Sequence, residues 1–181
     1  MKKKMFLHSC CGPCSTSVIE RLKDEYDLTI FYYNPNIFPQ EEYLHRLHEQ
    51  QRYVKEAGLD ILVIDGTYED NGKFYEHFKG LENEIEGGKR CVVCIADRMT
   101  QTAKEAKKRG FDVFATTLSV SPHKNASLIN SLGQALSKLF DIPYLVADFK
   151  KKDGYLNSIK FSKEFDLYRQ DYCGCKFSMK S

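Results

Sequence analysis

Short apolar runs alternate along this chain with longer stretches in which apolar residues recur every three or four positions. That alternation is the signature of strands and amphipathic helices in turn. Met5–His8 reads as a first strand, and a helix opening at Cys14 or Ser15 follows with Val18, Ile19 and Leu22 on one face. Leu28–Tyr33 is β-branched and aromatic and reads as a second strand. After the loop Asn34–Pro39, with Pro39 suited to a first helical turn, a helix runs to about Ala57 and stops at Gly58. Leu59–Ile64 is a third strand.

Thr67, with Asp70 three residues on, has the form of a capping box for the next helix. Gly87-Gly88-Lys89-Arg90 breaks the chain. Cys91 then starts a long helix with Val92, Ile95, Met99, Ala103 and Ala106 in register, ending at Gly110. Asp112–Leu118 is a fourth strand, Asn125 caps a helix through about Phe140, and Ile142–Phe149 is a fifth strand with Pro143 near its start. A basic loop, a short helix near Tyr155–Glu164 and a cysteine-bearing tail complete the pattern. Strands and helices in strict turn call for an α/β fold, a Rossmann-like parallel sheet of about five strands covered by helices. With no internal repeat, low-complexity tract or linker, residues 1–181 are expected to form one domain.

Composition narrows the class. No stretch approaches the roughly 18 apolar residues of a membrane span. The apolar run behind Lys2–Lys4 is too short for a signal peptide, so a cytoplasmic protein is expected. The net charge of +2 decides little. Its distribution says more, because basic residues gather at Lys2–Lys4, Lys89-Arg90, Lys107–Arg109 and Lys150–Lys152. Such patches suit a phosphate backbone, although a solvated face explains them equally well.

The seven cysteines carry the chemistry. In a reducing compartment they are not a disulfide framework. They come in groups: Cys10, Cys11 and Cys14; Cys91 and Cys94; Cys173 and Cys175. Ligands of open α/β sheets bind beyond the carboxyl ends of the strands. The first group follows the first strand directly. Thr116–Pro122 follows the core of the fourth, Asp148–Gly154 follows the fifth, and Cys91 and Cys94 open a helix leading into the fourth. Two groups therefore converge, and the tail can fold over to bring the third. Thiolates are favoured at helix N-termini, where Cys14 and Cys91 are expected. All seven are candidate metal ligands. Four thiolates can hold a [4Fe–4S] cluster or a structural zinc ion. A zinc site gives no reason for three spare thiols, whereas a redox site does. Cys11-Gly-Pro-Cys14 also matches a thioredoxin-type dithiol, but that leaves five cysteines unexplained.

Other polar residues are weaker candidates. His45 and His48 read as a solvated helix face and His8 as a hydrogen-bonded core residue. His123, in a loop on the same rim, is a candidate substrate contact. Asp148 is a candidate catalytic residue or hard metal ligand, with a loop cap as the alternative, and Arg169 lies beside the last cysteines.

Cys10–Cys14, Lys89–Cys94, Thr116–Asn125, Asp148–Tyr155 and Tyr168–Cys175 together resemble the cobalamin-independent epoxyqueuosine reductases of the QueH type. The resemblance extends over essentially the whole chain, without departure at any cysteine. It implies a fold related to adenine-nucleotide α-hydrolases (HUP-like). It implies reduction of an epoxide on a modified guanine at the tRNA wobble position, the last step of queuosine synthesis. It also implies a [4Fe–4S] cluster with a second metal ion, expected to be iron, beside it. On that basis Cys11, Cys91, Cys94 and Cys173 are the expected cluster ligands, and Cys10, Cys11 and Asp148 the expected catalytic residues. The division of thiols between the two metals is not readable from spacing. The implied partners are tRNA carrying epoxyqueuosine and a ferredoxin- or flavodoxin-type electron donor. Lys107–Arg109 and Lys150–Lys152 are candidates for backbone contacts, and Tyr32, Tyr33 and Phe38 for stacking, with core and loop packing as their alternative. A thioredoxin-like dithiol oxidoreductase and a zinc-binding RNA-binding module are the alternatives.

Overall fold

A computed structural model describes residues 1–68 and 71–179. The strands are β1 (Lys3–His8), β2 (Tyr26–Tyr32), β3 (Leu62–Asp65) and β4 (Val113–Thr116), all parallel, in the order β3-β2-β1-β4. The helices are α1 (Gly12–Leu22), α2 (Gln40–Glu56), α3 (Asn71–Glu76), α4 (Lys89–Lys108), α5 (Ala126–Phe140) and α6 (Gly154–Glu164). This is the Rossmann-like sheet that the alternation predicts.

The period of two along each strand sorts side chains onto two faces. Met5, Leu7, Ile30, Val113 and Ala115 join one core with Val18, Ile19 and Leu22 of α1. Phe6, Phe31 and Phe114 join the other with Ile95, Met99, Ala103 and Ala106 of α4 and Ile129 and Leu136 of α5. Phe6 anchors that second face, its ring 4.8 Å from Phe31 and 4.6 Å from Phe111. With both faces covered, β1 is apolar from Met5 to Leu7 without a polar break, as a buried parallel strand must be. At its end His8 is fully buried, with Nδ1 3.0 Å from Thr116 Oγ1 and Nε2 2.9 Å from the Tyr33 carbonyl. Burial lowers its pKa to about 4, so the ring is neutral at neutral pH. Nε2–H then donates to Tyr33, and Nδ1 accepts from the Thr116 hydroxyl.

Two expected strands differ. Residues 142–149 form no strand and make only an isolated bridge, Phe114 with Tyr144. Leu145 N–H donates to the Phe114 carbonyl, and the Phe114 N–H takes the Pro143 carbonyl. Beyond that β4 turns into a short 3-10 helix at Leu118–Val120 and offers no further ladder. The Asn130 side chain takes over, bonding both the N–H and the carbonyl of Ala147, while Ser119 Oγ accepts from Phe149 N–H. The sheet therefore has four strands, not about five. Likewise β3 begins at Leu62 rather than Leu59, because Leu59 N–H closes the end of α2 on the Val54 carbonyl across Gly58, whose φ is +64°. The expected capping box at Thr67 reaches Asp70, which lies outside the described residues.

The tail crosses the rim as predicted, and one buried side chain holds it. Arg46, on α2, is 2% exposed. Its Nη1 donates to the Cys173 carbonyl (3.0 Å), Nη2 to the Tyr172 carbonyl (3.1 Å) and Nε to Glu42 Oε1 (2.7 Å). Its guanidinium also lies over the Tyr172 ring. Phe38 N–H bonds the Gly174 carbonyl, and Tyr172 Oη donates to the Phe38 carbonyl. Gly174 sits at φ +118°, and a Cβ there would press on Ile37 and Arg46.

Two outcomes follow. Gly133 of α5 lies against the Tyr144 ring, where a methyl group has no room. Gly133→Ala should cost about 1–3 kcal/mol in urea unfolding, and less in a Tyr144→Leu background. Arg46→Ala should free the tail, so that in metal-free protein Cys173 and Cys175 are alkylated at least ~10-fold faster, read by mass spectrometry. Unchanged labelling would show that Arg46 does not hold the tail.

Candidate metal centre

The order of the strands reverses between β1 and β4, which opens the crevice where α/β folds bind ligands. Thr117 N–H donates to the His8 carbonyl across that gap (3.0 Å). The chain leaving β1 enters α1 two residues earlier than expected, with Cys11 rather than Cys14 at the boundary. Cys11 Sγ takes the part of a capping oxygen and accepts from Cys14 N–H at 3.4 Å. Cys14 then stands in the first turn, and the two thiols share the positive end of the helix.

The sulfurs of Cys10, Cys11 and Cys14 all lie within 4.8 Å of one another, with Cys10 and Cys11 4.0 Å apart. Cys10 Sγ is also 3.8 Å from Thr117 Oγ1. Hydrogen bonds from Cys11 and then Cys14 hold the Cys10 thiol well below the usual range, against the cost of burial. Lys124 and Arg98 add positive charge in the same direction. The same contacts push Cys11 up to about 12, and they raise Cys14 well above an ordinary thiol.

Cys94 belongs to a second group. It is buried in α4, burial pushes its thiol up to about 11, and it feels the charges of Cys173 and Cys175. Cys175 is likewise raised by burial, and it interacts with the Tyr75 hydroxyl and with Arg90. Cys91 is one turn before Cys94, where its sulfur accepts from Gly87 N–H at 3.2 Å. All seven cysteines are free.

Two cations stand between the groups. Arg98, 2% exposed and one turn after Cys94, feels Cys94, Cys173 and Cys10. Lys124 is half-buried, with Nζ 4.0 Å from Cys173 Sγ, and it feels Cys173, Cys10 and Cys14. Burial pulls both pKa values down, but the surrounding sulfur charge outweighs it and both are raised. Neither makes an ion pair with a carboxylate among the described residues. A donor set of soft sulfur, with cations that need anionic partners, fits thiolate-ligated metal.

Sequence reasoning missed these cations. The signal for Arg98 was available: it falls on the apolar stripe of α4, between Ile95 and Thr102, where a charge calls for explanation. Lys124 had no such signal. Its neighbour His123 is exposed instead. Asp148 caps its own turn, accepting from Lys150 N–H at 3.1 Å and pairing with Lys150 Nζ at 3.6 Å. It is not among the side chains whose ligand atoms converge. Lys150 turns inward and donates to the carbonyls of Ser119 and Lys124. Arg169 is exposed and bonds Ser162 Oγ, away from the thiols. His45 and His48 are exposed on α2, and Tyr32 is buried in the core, so it cannot stack on a ligand.

Among the described residues no helix is long and apolar enough to cross a membrane. A model of the family described as epoxyqueuosine reductase QueH matches residues 5–181. The chain is 40% identical over 184 residues to epoxyqueuosine reductase QueH of Streptococcus pyogenes serotype M1, covering 99% of this chain and 72% of that protein. To the protein of that name from Staphylococcus epidermidis it is 41% identical over 183 residues, 98% of this chain and 76% of the other. To the one from Thermotoga maritima it is 34% identical over 175 residues, 97% and 90% of the two chains. The match takes in all three cysteine groups and both cations between them, and the chain belongs to the epoxyqueuosine reductase QueH family.

Proposed function

We propose that this chain, as one domain, reduces the epoxide of epoxyqueuosine at the tRNA wobble position to the alkene of queuosine. The reaction takes up two electrons and two protons and releases the epoxide oxygen as water. The observation that carries this reading is the meeting of cysteines from three distant parts of the chain around Arg98 and Lys124. When bound, a [4Fe–4S] cluster would supply electrons singly, and a second metal ion, taken as iron, would act as a Lewis acid on the epoxide oxygen. Cys11, Cys91, Cys94 and Cys173 are the proposed cluster ligands. Cys10, Cys14 and Cys175 are proposed for the second metal. Cys10 and Cys11 are the thiols assigned to the reacting side. Asp148 could serve there only by exchanging its present partners on Lys150.

The chain's own part is to hold the thiols and to balance their charge. Arg98 and Lys124 offset negative charge at Cys10 and Cys94, which favours thiolate over thiol there. The covering tail keeps water from the rim. The exposed Lys107–Arg109, Lys151 and Lys152 are proposed to contact the tRNA backbone, and a ferredoxin- or flavodoxin-type protein to supply electrons. A cytoplasmic setting keeps the seven thiols reduced.

Anaerobic purification should yield a brown protein with broad absorbance near about 400 nm and about four sulfides and four or more irons per chain. Cys91→Ser should lose that spectrum and lower reduction of epoxyqueuosine in tRNA by at least ~100-fold, with the circular dichroism unchanged. A colourless protein with stoichiometric zinc and no sulfide would replace this reading with a zinc-binding RNA module. Full activity in Cys91→Ser, lost only when Cys11 and Cys14 are replaced, would point to a dithiol enzyme. Affinity for tRNA should fall with salt, and replacing Lys151 and Lys152 by Ala should flatten the log–log slope by about 1 to 1.5.

A further inference from the structure

A second concavity opens on the same rim and takes no part in the thiol site. It has a volume of about 410 Å3, the size of a small-ligand pocket, and Tyr33, Thr67, Phe74, His77, Asp97 and Gln101 line it. Its position follows from the fold. Tyr33 leaves the carboxyl end of β2, Thr67 follows β3, and Asp97 and Gln101 lie one turn apart on α4. Asp97 is three residues, about 4.5 Å along the helix axis, beyond Cys94, so the cavity adjoins the thiol-bearing end of α4.

Its polar and apolar parts are distinct. Tyr33 stacks on Phe31, the rings nearly coplanar at 5° and 5.7 Å apart. The backbone at Gly66 allows this, because a Cβ there would meet the Tyr33 side chain at 2.9 Å. Phe74 on α3 and His77 just after it contribute further rings, 6.0 Å apart. Asp97 receives one hydrogen bond, from Tyr33 Oη at 3.3 Å, and makes no ion pair within the described residues. Burial raises its carboxyl above the ordinary range, countered by Tyr33, His77 and Arg98. Lys73 lines the cavity as well, and the half-buried Asp97 carboxylate, which accepts one hydrogen bond, keeps acceptor capacity beside the Gln101 amide.

We propose that this cavity receives the modified base itself, with Asp97 accepting from the N1–H and exocyclic amine of its guanine edge. The proposal rests on the reductase reading above. Guanine presents two adjacent donors and one acceptor along that edge. A carboxylate pairs with the two donors, and the Gln101 amide can supply the donor for O6. Adenine presents an acceptor where N1–H would be, and the same carboxylate repels it. The rings of Tyr33 and His77 supply stacking for a base taken out of the loop, with the buried Phe74 behind them. The thiol site then acts on a ring substituent, while the cavity decides which base is admitted.

The test uses anaerobically purified full chain and two probes, 7-deazaguanine and the same ring without its amine, 7-deazahypoxanthine, in calorimetry. Wild type should bind 7-deazaguanine about tenfold or more tighter, and Asp97→Asn should abolish that preference. In the tRNA assay Asp97→Asn should raise KM at least ~10-fold, with the effect on KM rather than kcat and the absorbance of any bound cluster unchanged. Gly66→Ala, which displaces Tyr33, should weaken binding of both probes. An active wild type with no preference between the probes, or an Asp97→Asn variant with unaltered preference and KM, overturns the pocket and leaves the reductase reading standing. A wild type inactive on epoxyqueuosine tRNA that still discriminates through Asp97 supports the pocket and removes the reductase reading.

Discussion

Positive charge buried among sulfur is the constraint on which the rest of the site depends. Arg98 is 2% exposed, and Lys124 reaches to 4.0 Å from Cys173. A buried cation without a partner costs several kcal/mol, and no carboxylate pairs with either side chain among the described residues. Arg98 has long contacts to the Cys94 carbonyl (3.4 Å) and Asn34 Oδ1 (3.5 Å), and the sulfur charge around both cations adds compensation. That requirement runs both ways: the cations lower the cost of ionising Cys10, and the sulfurs keep both cations charged against the pull of burial. Neither half of the site is at ease without the other.

The scaffold meets this requirement with ordinary devices. A neutral His8 ties β1 to β4 and to the end of β2, so the crevice between those strands has a rigid floor. Cys11 caps α1 with sulfur in place of oxygen. Arg46 gives both Nη groups to tail carbonyls and its Nε to Glu42 on its own helix, and so turns a segment with little regular structure into a wall of the site. Lys150 does the same for the loop that carries Lys124. For Arg46 and Lys150 a long cationic side chain satisfies backbone carbonyls that no helix or sheet satisfies.

The helix α4 joins the two halves of the functional picture. Cys91, Cys94, Asp97, Arg98 and Gln101 recur at helical spacing along its first three turns. Two cysteines proposed as ligands, a counter-charge and the polar wall of a cavity therefore come from one rigid element, whose apolar side, Ile95, Met99, Ala103 and Ala106, is packed on the sheet. A shift of this helix would disturb all of them together.

Local pattern alone determined a good part of this protein. Period two and period 3.6 placed β1, β2, α1, α2, α4 and α5 within a few residues, and Asn125 capped α5 as its side chain required. The grouping of the cysteines and the carboxyl-rim rule put Cys10, Cys11 and Cys14 beyond the end of β1, where their sulfurs meet. These features depend on neighbours in sequence, or on a rule that follows from strand direction. Tertiary structure decided the rest, because it depends on partners far apart in the chain. Residues 142–149 have strand composition, but β4 ends before they can pair, so Asn130 holds them instead. Asp148 and Arg169 sit beside the motifs in sequence yet turn to Lys150 and Ser162. Arg46 and Arg98 are buried and Lys124 is half-buried. Whether a charge is solvated or paired is set by what folding places around it, and for these three that was carbonyl oxygen and sulfur drawn from distant parts of the chain.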